Sequence, residues 1–251
     1  MGTLRNELRE QWEKLGYDPK CGSAAVLPPP PPHLLRVYYF TSADHAINNI
    51  ALGRIKLARF AKLNDPFELL APNFGNRPDV REAVVRFRNE MDSHSSLLCF
   101  SADWRSPVLW SHYGKQHEGI CLGFNIDRTR AHPITYIEDR IAIPPLTNGI
   151  PFALTDDLKR ELLYSKFMHW KYEDEWRVLI SLADAMPERG HHFYHFAQGL
   201  QLAEVILGMH CSIALDDVRA LVQARYPDAF AYGSRAADKW FIVVPEEDTL
   251  L

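Results

Sequence analysis

Glu173, Glu175 and Arg177 occupy alternate positions in the stretch Trp170-Lys171-Tyr172-Glu173-Asp174-Glu175-Trp176-Arg177-Val178-Leu179-Ile180. The stretch begins charged and aromatic and ends β-branched and apolar, the pattern of a strand entering a core. If it is extended from Glu173, then Glu173, Glu175, Arg177 and Leu179 share one face, and Trp176, Val178 and Ile180 the other. Carboxylates on a half-buried strand must be paired, hydrogen-bonded or used. The first chemistry this set allows is acid–base work and stabilisation of positive charge. The second is divalent-metal hydrolysis, with Asp65 joining Glu173 and Glu175. A structural Glu–Arg pair at the mouth of a sheet is the plain alternative.

The elements that would position these groups follow from the rest of the chain. Its 251 residues are 47% hydrophobic and 24% charged, as in an ordinary globular protein. A net charge of −4 gives no general attraction for a polyanion, so nucleic-acid binding would need a local basic patch. No apolar run is long enough to span a bilayer, and the N-terminus is too charged for a signal peptide. The four cysteines, Cys21, Cys99, Cys121 and Cys211, form no CxxC pair. Buried thiols in a reducing cytoplasm are the expectation, with no metal site built on them. His191, His192 and His195 have spacing that suits zinc, but no nearby Cys or acid completes a ligand set.

Thr3 to Leu15 reads as a capped amphipathic helix, and Pro28 to Pro32 as a stiff linker. Residues 1–33 are therefore an arm and 34–251 a single α+β domain. Leu34 to Thr41 is a strand, Ser42 caps a helix that Gly53 closes, and Arg54 to Phe60 alternates like a second strand. In Leu63-Asn64-Asp65-Pro66-Phe67-Glu68 the residues before proline favour a turn in which side chains bond local backbone. Arg77 to Met91 is a helix, Leu97 to Ser101 a strand, and Pro107 to Gly114 an aromatic helix or turn. Glu118 to Phe124 is a strand, and Ala131 to Ile143 one strand or two. Pro144 to Pro151 is a loop. Thr155 caps a helix running to about Trp170, with Leu158, Leu162, Leu163 and Phe167 facing the core. Leu202 to Met209 is a strand, Ala214 to Tyr226 a helix, and Ala229 to Val244 a closing hairpin.

Five of these segments occur in an order that carries a resemblance: Tyr38-Tyr39-Phe40-Thr41, Leu63-Asn64-Asp65-Pro66-Phe67-Glu68, Leu109-Trp110-Ser111-His112-Tyr113, Gly119-Ile120-Cys121-Leu122-Gly123-Phe124 and Tyr172-Glu173-Asp174-Glu175-Trp176-Arg177. From about Val37 to Met209 the chain resembles the uncharacterised microbial family catalogued as domain of unknown function 2971. It is more distantly similar to the ADP-ribosyltransferase superfamily, whose Glu-x-Glu before a hydrophobic strand is matched by Glu173-Asp174-Glu175. Tyr-Tyr-Phe-Thr resembles the first-strand motif of that superfamily's nucleic-acid-modifying toxins. Tyr39 stands where a His or Arg is expected, and Arg36 is the nearest basic residue.

The resemblance implies an α+β fold of mixed, largely antiparallel split sheets around a cleft, with peripheral helices. It also implies NAD as substrate and ADP-ribose transfer to a macromolecular acceptor, nucleic acid or protein, as in a cytoplasmic toxin or phage-defence effector. Glu175 would hold a ribose hydroxyl and stabilise the cationic sugar, and Glu173 would orient or deprotonate the acceptor. Arg177 would hold the pair or a cofactor phosphate. Tyr39, Trp110 and Tyr113 would stack on the nicotinamide or adenine rings, with Thr41 beside them. His112 would contact a phosphate or acceptor, and Asn64 and Asp65 would shape the cofactor loop. An antitoxin or a second copy could dock on the N-terminal helix, and a non-catalytic binding module is the remaining alternative.

Overall fold

Leu34–Thr41 is apolar and aromatic, and it folds as the long strand its composition favours. The structure, a computed structural model, describes residues 27–143 and 152–250. The helix expected over Thr3–Leu15 and the loop expected over Pro144–Pro151 lie outside them. In chain order the elements are β1 (Leu34–Thr41), α1 (Ala43–Leu52), β2 (Arg54–Lys56), α2 (Pro78–His94) and β3 (Ser95–Ser101). Next come α3 (Pro107–His112), β4 (Ile120–Asp127), β5 (Ala131–Pro133), β6 (Thr135–Ile137) and α4 (Asp156–Tyr164). Then follow β7 (Ser165–Phe167), β8 (Glu175–Ser181), β9 (Met186–Glu188), β10 (His191–His195) and β11 (Leu200–Leu207). Helix α5 (Leu215–Arg225) and strands β12 (Phe230–Ala236) and β13 (Val243–Pro245) complete the set. This is an α+β protein whose strands pair mostly antiparallel. No helix among the described residues is long and apolar enough to cross a membrane.

The chain divides into two compact units. The first holds the described residues up to Arg54, Phe100–Thr129, and His195 onward. There β4 lies between β1 and β11, antiparallel to both, and β12 runs parallel to β11. Ser42 caps α1 by accepting from the His45 N–H, and Gly53 ends the helix at φ 62, where a side chain would be strained. The core gathers Trp104, Trp110, Cys121, Ile206, Tyr232 and Val243.

The second unit comprises Ile55–Cys99 and Arg130–Tyr194. Strand β8 lies between β3 and β5, and β6 pairs in parallel with β7. Apolar residues at helical spacing on α2 (Val80, Val84, Phe87) pack with Phe60, Leu69, Phe74, Leu97 and Leu162. Three expectations change here. The second strand stops at Lys56, and Phe60–Lys62 is a turn of 3₁₀ helix. Helix α4 ends at Tyr164 and does not continue to Trp170, because Ser165 is extended and starts β7. Phe167, expected in the core, is 41% exposed at the end of that strand.

Candidate functional site

The stretch 170–180 is not one continuous strand. Met168–Glu173 is 3₁₀-helical and Asp174 sits at φ 42, so strand alternation begins only at Glu175. Glu173 and Glu175 nevertheless meet, because both carboxylates reach Lys166. The Lys166 ammonium donates to Glu173 Oε2 at 2.5 Å and to Glu175 Oε2 at 3.2 Å. It also lies 4.8 Å from the centroid of the Trp170 ring. The parallel pairing of β6 with β7 sets Lys166 opposite Tyr136. Tyr136 Oη in turn accepts the Glu175 N–H at 2.8 Å.

Arg177, 1% exposed, turns back along β8. Its Nε donates to Glu175 Oε1 at 2.6 Å and its Nη2 to Glu175 Oε2 at 3.1 Å, the two-pronged geometry that matches guanidinium to carboxylate. Its Nη1 donates to the Leu163 carbonyl at 2.9 Å and lies 2.5 Å from Glu68 Oε1. Burial pushes the Glu175 carboxyl up, but Arg177 and Lys166 more than offset this and hold it at about 2. Burial tends to strip the proton from Lys166, yet Glu175 and Glu173 keep its affinity above the usual range. The half-buried Cys99 thiol lies beside Glu175, and burial first, then that carboxylate, raises it well above the ordinary thiol range.

Glu68 differs from its neighbours. Its side chain is 1% exposed and ion-paired with Arg177, and among the described residues neither carboxylate oxygen has a hydrogen-bond partner. Burial raises its pKa, with Arg177 opposing. The expected turn carries it: Asp65 Oδ1 accepts the Phe67 N–H at 2.9 Å and the Asp65 carbonyl accepts the Glu68 N–H at 3.1 Å. Leu69 follows at φ 57, an unusual conformation for a leucine, fixed by its side chain in the core.

Glu68, Asp65, Lys166 and Ser165 line a cavity of about 230 Å³. Ser165 Oγ is likewise buried, with no hydrogen-bond partner among the described residues. Phe67, Leu70, Ala71, Ile137 and Phe167 give the apolar wall, and Glu138, Asp139 and Arg140 lie exposed at its edge. Around Lys166 and Arg177 stand three buried carboxylates, those of Glu68, Glu173 and Glu175, so acid exceeds base in the interior. Among the described residues, no group of three or more His, Cys, Asp or Glu is arranged to hold a metal ion. Searches of family models, curated proteins and solved structures match nothing to this chain. The resemblances drawn above rest on the quoted motifs alone.

The structure thus brings together Glu173, Glu175 and Arg177, while Asp65 lines the same cavity as Glu68 and Lys166 and exposed Asn64 begins the Glu68 turn. Tyr39, Thr41, Trp110, His112 and Tyr113 belong to the first unit. Trp110 is 0% exposed, donates its indole N–H to the Trp104 carbonyl at 2.7 Å and packs against Phe40 and His117, so no face of its ring is open to a ligand. Tyr39 is half-buried, edge-on to Phe100, and Thr41 is buried at the end of β1. His112 is exposed and Tyr113 half-buried, with ring centroids 6.2 Å apart. Arg36 donates to Asn125 at 2.7 Å and to buried Glu204 at 2.5 Å, a structural engagement within the first unit. Sequence reasoning missed Lys166 and did not single out Glu68, although Glu68 closes the Asn-Asp-Pro-Phe-Glu segment.

Proposed function

We propose that the chain is an ADP-ribosyltransferase-like enzyme that breaks the nicotinamide–ribose bond of NAD and passes ADP-ribose to a nucleic acid or protein. The observation that carries this reading is Glu68: a buried carboxylate of a cavity lining, ion-paired with Arg177 but without a hydrogen-bond partner among the described residues, in a cluster of three carboxylates around Lys166 and Arg177. Cleaving a glycosidic bond of this kind creates positive charge on the sugar. A fixed, desolvated carboxylate stabilises such charge without reorganisation.

The roles differ from those expected of the Glu-x-Glu segment. Both Glu175 oxygens are engaged by Arg177 and Lys166, so in this reading Glu175 positions the cluster and Glu68 meets the ribose. The volume is below the roughly 300–1,000 Å³ of pockets that enclose whole drug-sized ligands, so it suits the reacting end of a dinucleotide alone. The split-sheet cleft of the superfamily and the toxin or phage-defence context belong to this proposal.

Incubation with NAD is expected to release nicotinamide with or without chelator. Glu68→Gln should lower the rate on the order of 10²-fold, the usual effect of removing one preorganised electrostatic group. Absence of release from the folded wild-type chain overturns the reading. Release only with divalent ions redirects it to metal-dependent hydrolysis. The saturation of Glu175 favours one rival, a non-catalytic module in which the cluster is a structural clamp, and that rival requires silence in both assays.

A further inference from the structure

We infer that the cavity beside Glu68 is a recognition site for a small organic cation bearing N–H donors, of the primary ammonium or guanidinium class. Among the described residues, two buried polar groups of its lining lack a hydrogen-bond partner: the Glu68 carboxylate, whose Oε1 is ion-paired with Arg177, and the Ser165 hydroxyl. Leaving either unsatisfied costs on the order of 1–3 kcal/mol, and more for the charged one. An ammonium or guanidinium group supplies what both lack, a hydrogen-bond donor for each, and adds positive charge where Glu68, Glu173 and Glu175 outnumber Lys166 and Arg177. A neutral alcohol satisfies hydrogen bonding without compensating the charge, and a quaternary ammonium does the reverse.

Charge around the cavity points the same way. Its lining carries four acids, Asp65, Glu68, Glu138 and Asp139, against two bases, Arg140 and Lys166. Both bases are engaged elsewhere: Lys166 by Glu173 and Glu175, Arg140 by the Leu70 and Pro72 carbonyls and the Phe67 ring face. Glu138 and Asp139 are exposed and would attract a cation towards the mouth, while Glu68 holds it at depth. Phe67 and Phe167, both well exposed, are the apolar surfaces that would flank the ligand's carbon chain. This assignment stands without the transfer chemistry, since a cation can bind where no NAD is cleaved.

The test uses the full chain and three probes of similar size: n-butylammonium, n-butanol and tetramethylammonium, followed by titration calorimetry and by the shift in unfolding temperature. Saturable binding of n-butylammonium is expected, at least tenfold tighter than either control. Glu68→Gln should weaken it at least tenfold and Ser165→Ala about threefold, with circular dichroism confirming that both variants fold. Equal binding of n-butanol, or n-butylammonium affinity unchanged in Glu68→Gln, overturns the assignment. If Glu68→Gln does not fold, the wild-type comparison of the three probes and the Ser165→Ala variant still decide. Nicotinamide release, measured separately, reports on the enzyme reading alone.

Discussion

Replacing Arg177 by methionine removes the cation that Glu68 and Glu175 share. In the wild-type chain its guanidinium holds Glu175 through two hydrogen bonds, pairs with Glu68 and satisfies the Leu163 carbonyl. Without it, Lys166 alone faces three acids, and Glu68 loses its ion pair with Arg177. Removing one member of a buried ion pair typically costs about 3–5 kcal/mol, because the remaining charge is left uncompensated. At roughly 2–4 °C per kcal/mol for a chain of this size class, unfolding should begin on the order of 10 °C lower. Glu175→Gln should cost less, since Arg177 keeps Glu68 and Lys166 keeps Glu173. The double variant should then be at least 1 kcal/mol more stable than the two single losses summed, as expected for residues in direct contact. Urea unfolding followed by tryptophan fluorescence measures all four corners of the cycle. An Arg177→Met loss below about 1 kcal/mol, or additivity within about 0.5 kcal/mol, would refute the picture of a shared, desolvated guanidinium.

Two further outcomes follow from the same structure. The Glu175 carboxyl titrates at about 2 against an ordinary 4.5, so the stability it contributes is present above 4.5 and is lost as pH falls through 4.5 towards 2. Glu175→Gln should flatten that acid limb in urea midpoints measured across pH 2 to 5, and an unchanged slope would count against the clamp. In the first unit, a Cβ on Gly208 would meet the His117 carbonyl oxygen at 2.1 Å, and one on Gly119 the Thr41 carbonyl oxygen at 2.1 Å. Neither backbone atom can yield cheaply, so Gly208→Ala and Gly119→Ala should each cost several times the ~1 kcal/mol strain expected of Gly190→Ala, which has open space but φ +78. Thermal unfolding of the three variants checks the order.

Where local chemistry fixes local structure, the sequence was a good guide. Strand β1 has the bounds its β-branched and aromatic run predicts, and α1 begins at Ser42 and ends at Gly53 because capping and left-handed backbone are single-residue properties. The Asp65 turn is of the same kind: an aspartate before proline bonds the backbone two residues on. Strand β7 escaped notice for the opposite reason. Apolar residues from Leu158 to Phe167 continue the helical period, but the parallel pairing of Ser165–Phe167 with Thr135–Ile137 joins segments far apart in the chain, and no local signal announces it.

The site's central residues were hidden by the same nonlocality. A lysine at position 166 reads in isolation as a solvated end of a helix, and becomes the meeting point of Glu173 and Glu175 only once β7 is turned beside β6. Glu68 gives no periodic signal, since it stands in a turn, and its burial depends on Leu69 being anchored in a core built from α2, α4 and β3. Composition records many acids and many bases, but not how many of each the fold withdraws from water together. Three carboxylates around two cations is a property of packing, and both proposals rest on it: they make Glu68 the place where a ligand's positive charge, permanent or developing, gains most. The acid that a strand motif singles out, Glu175, is for the same reason the one whose oxygens the fold has already engaged.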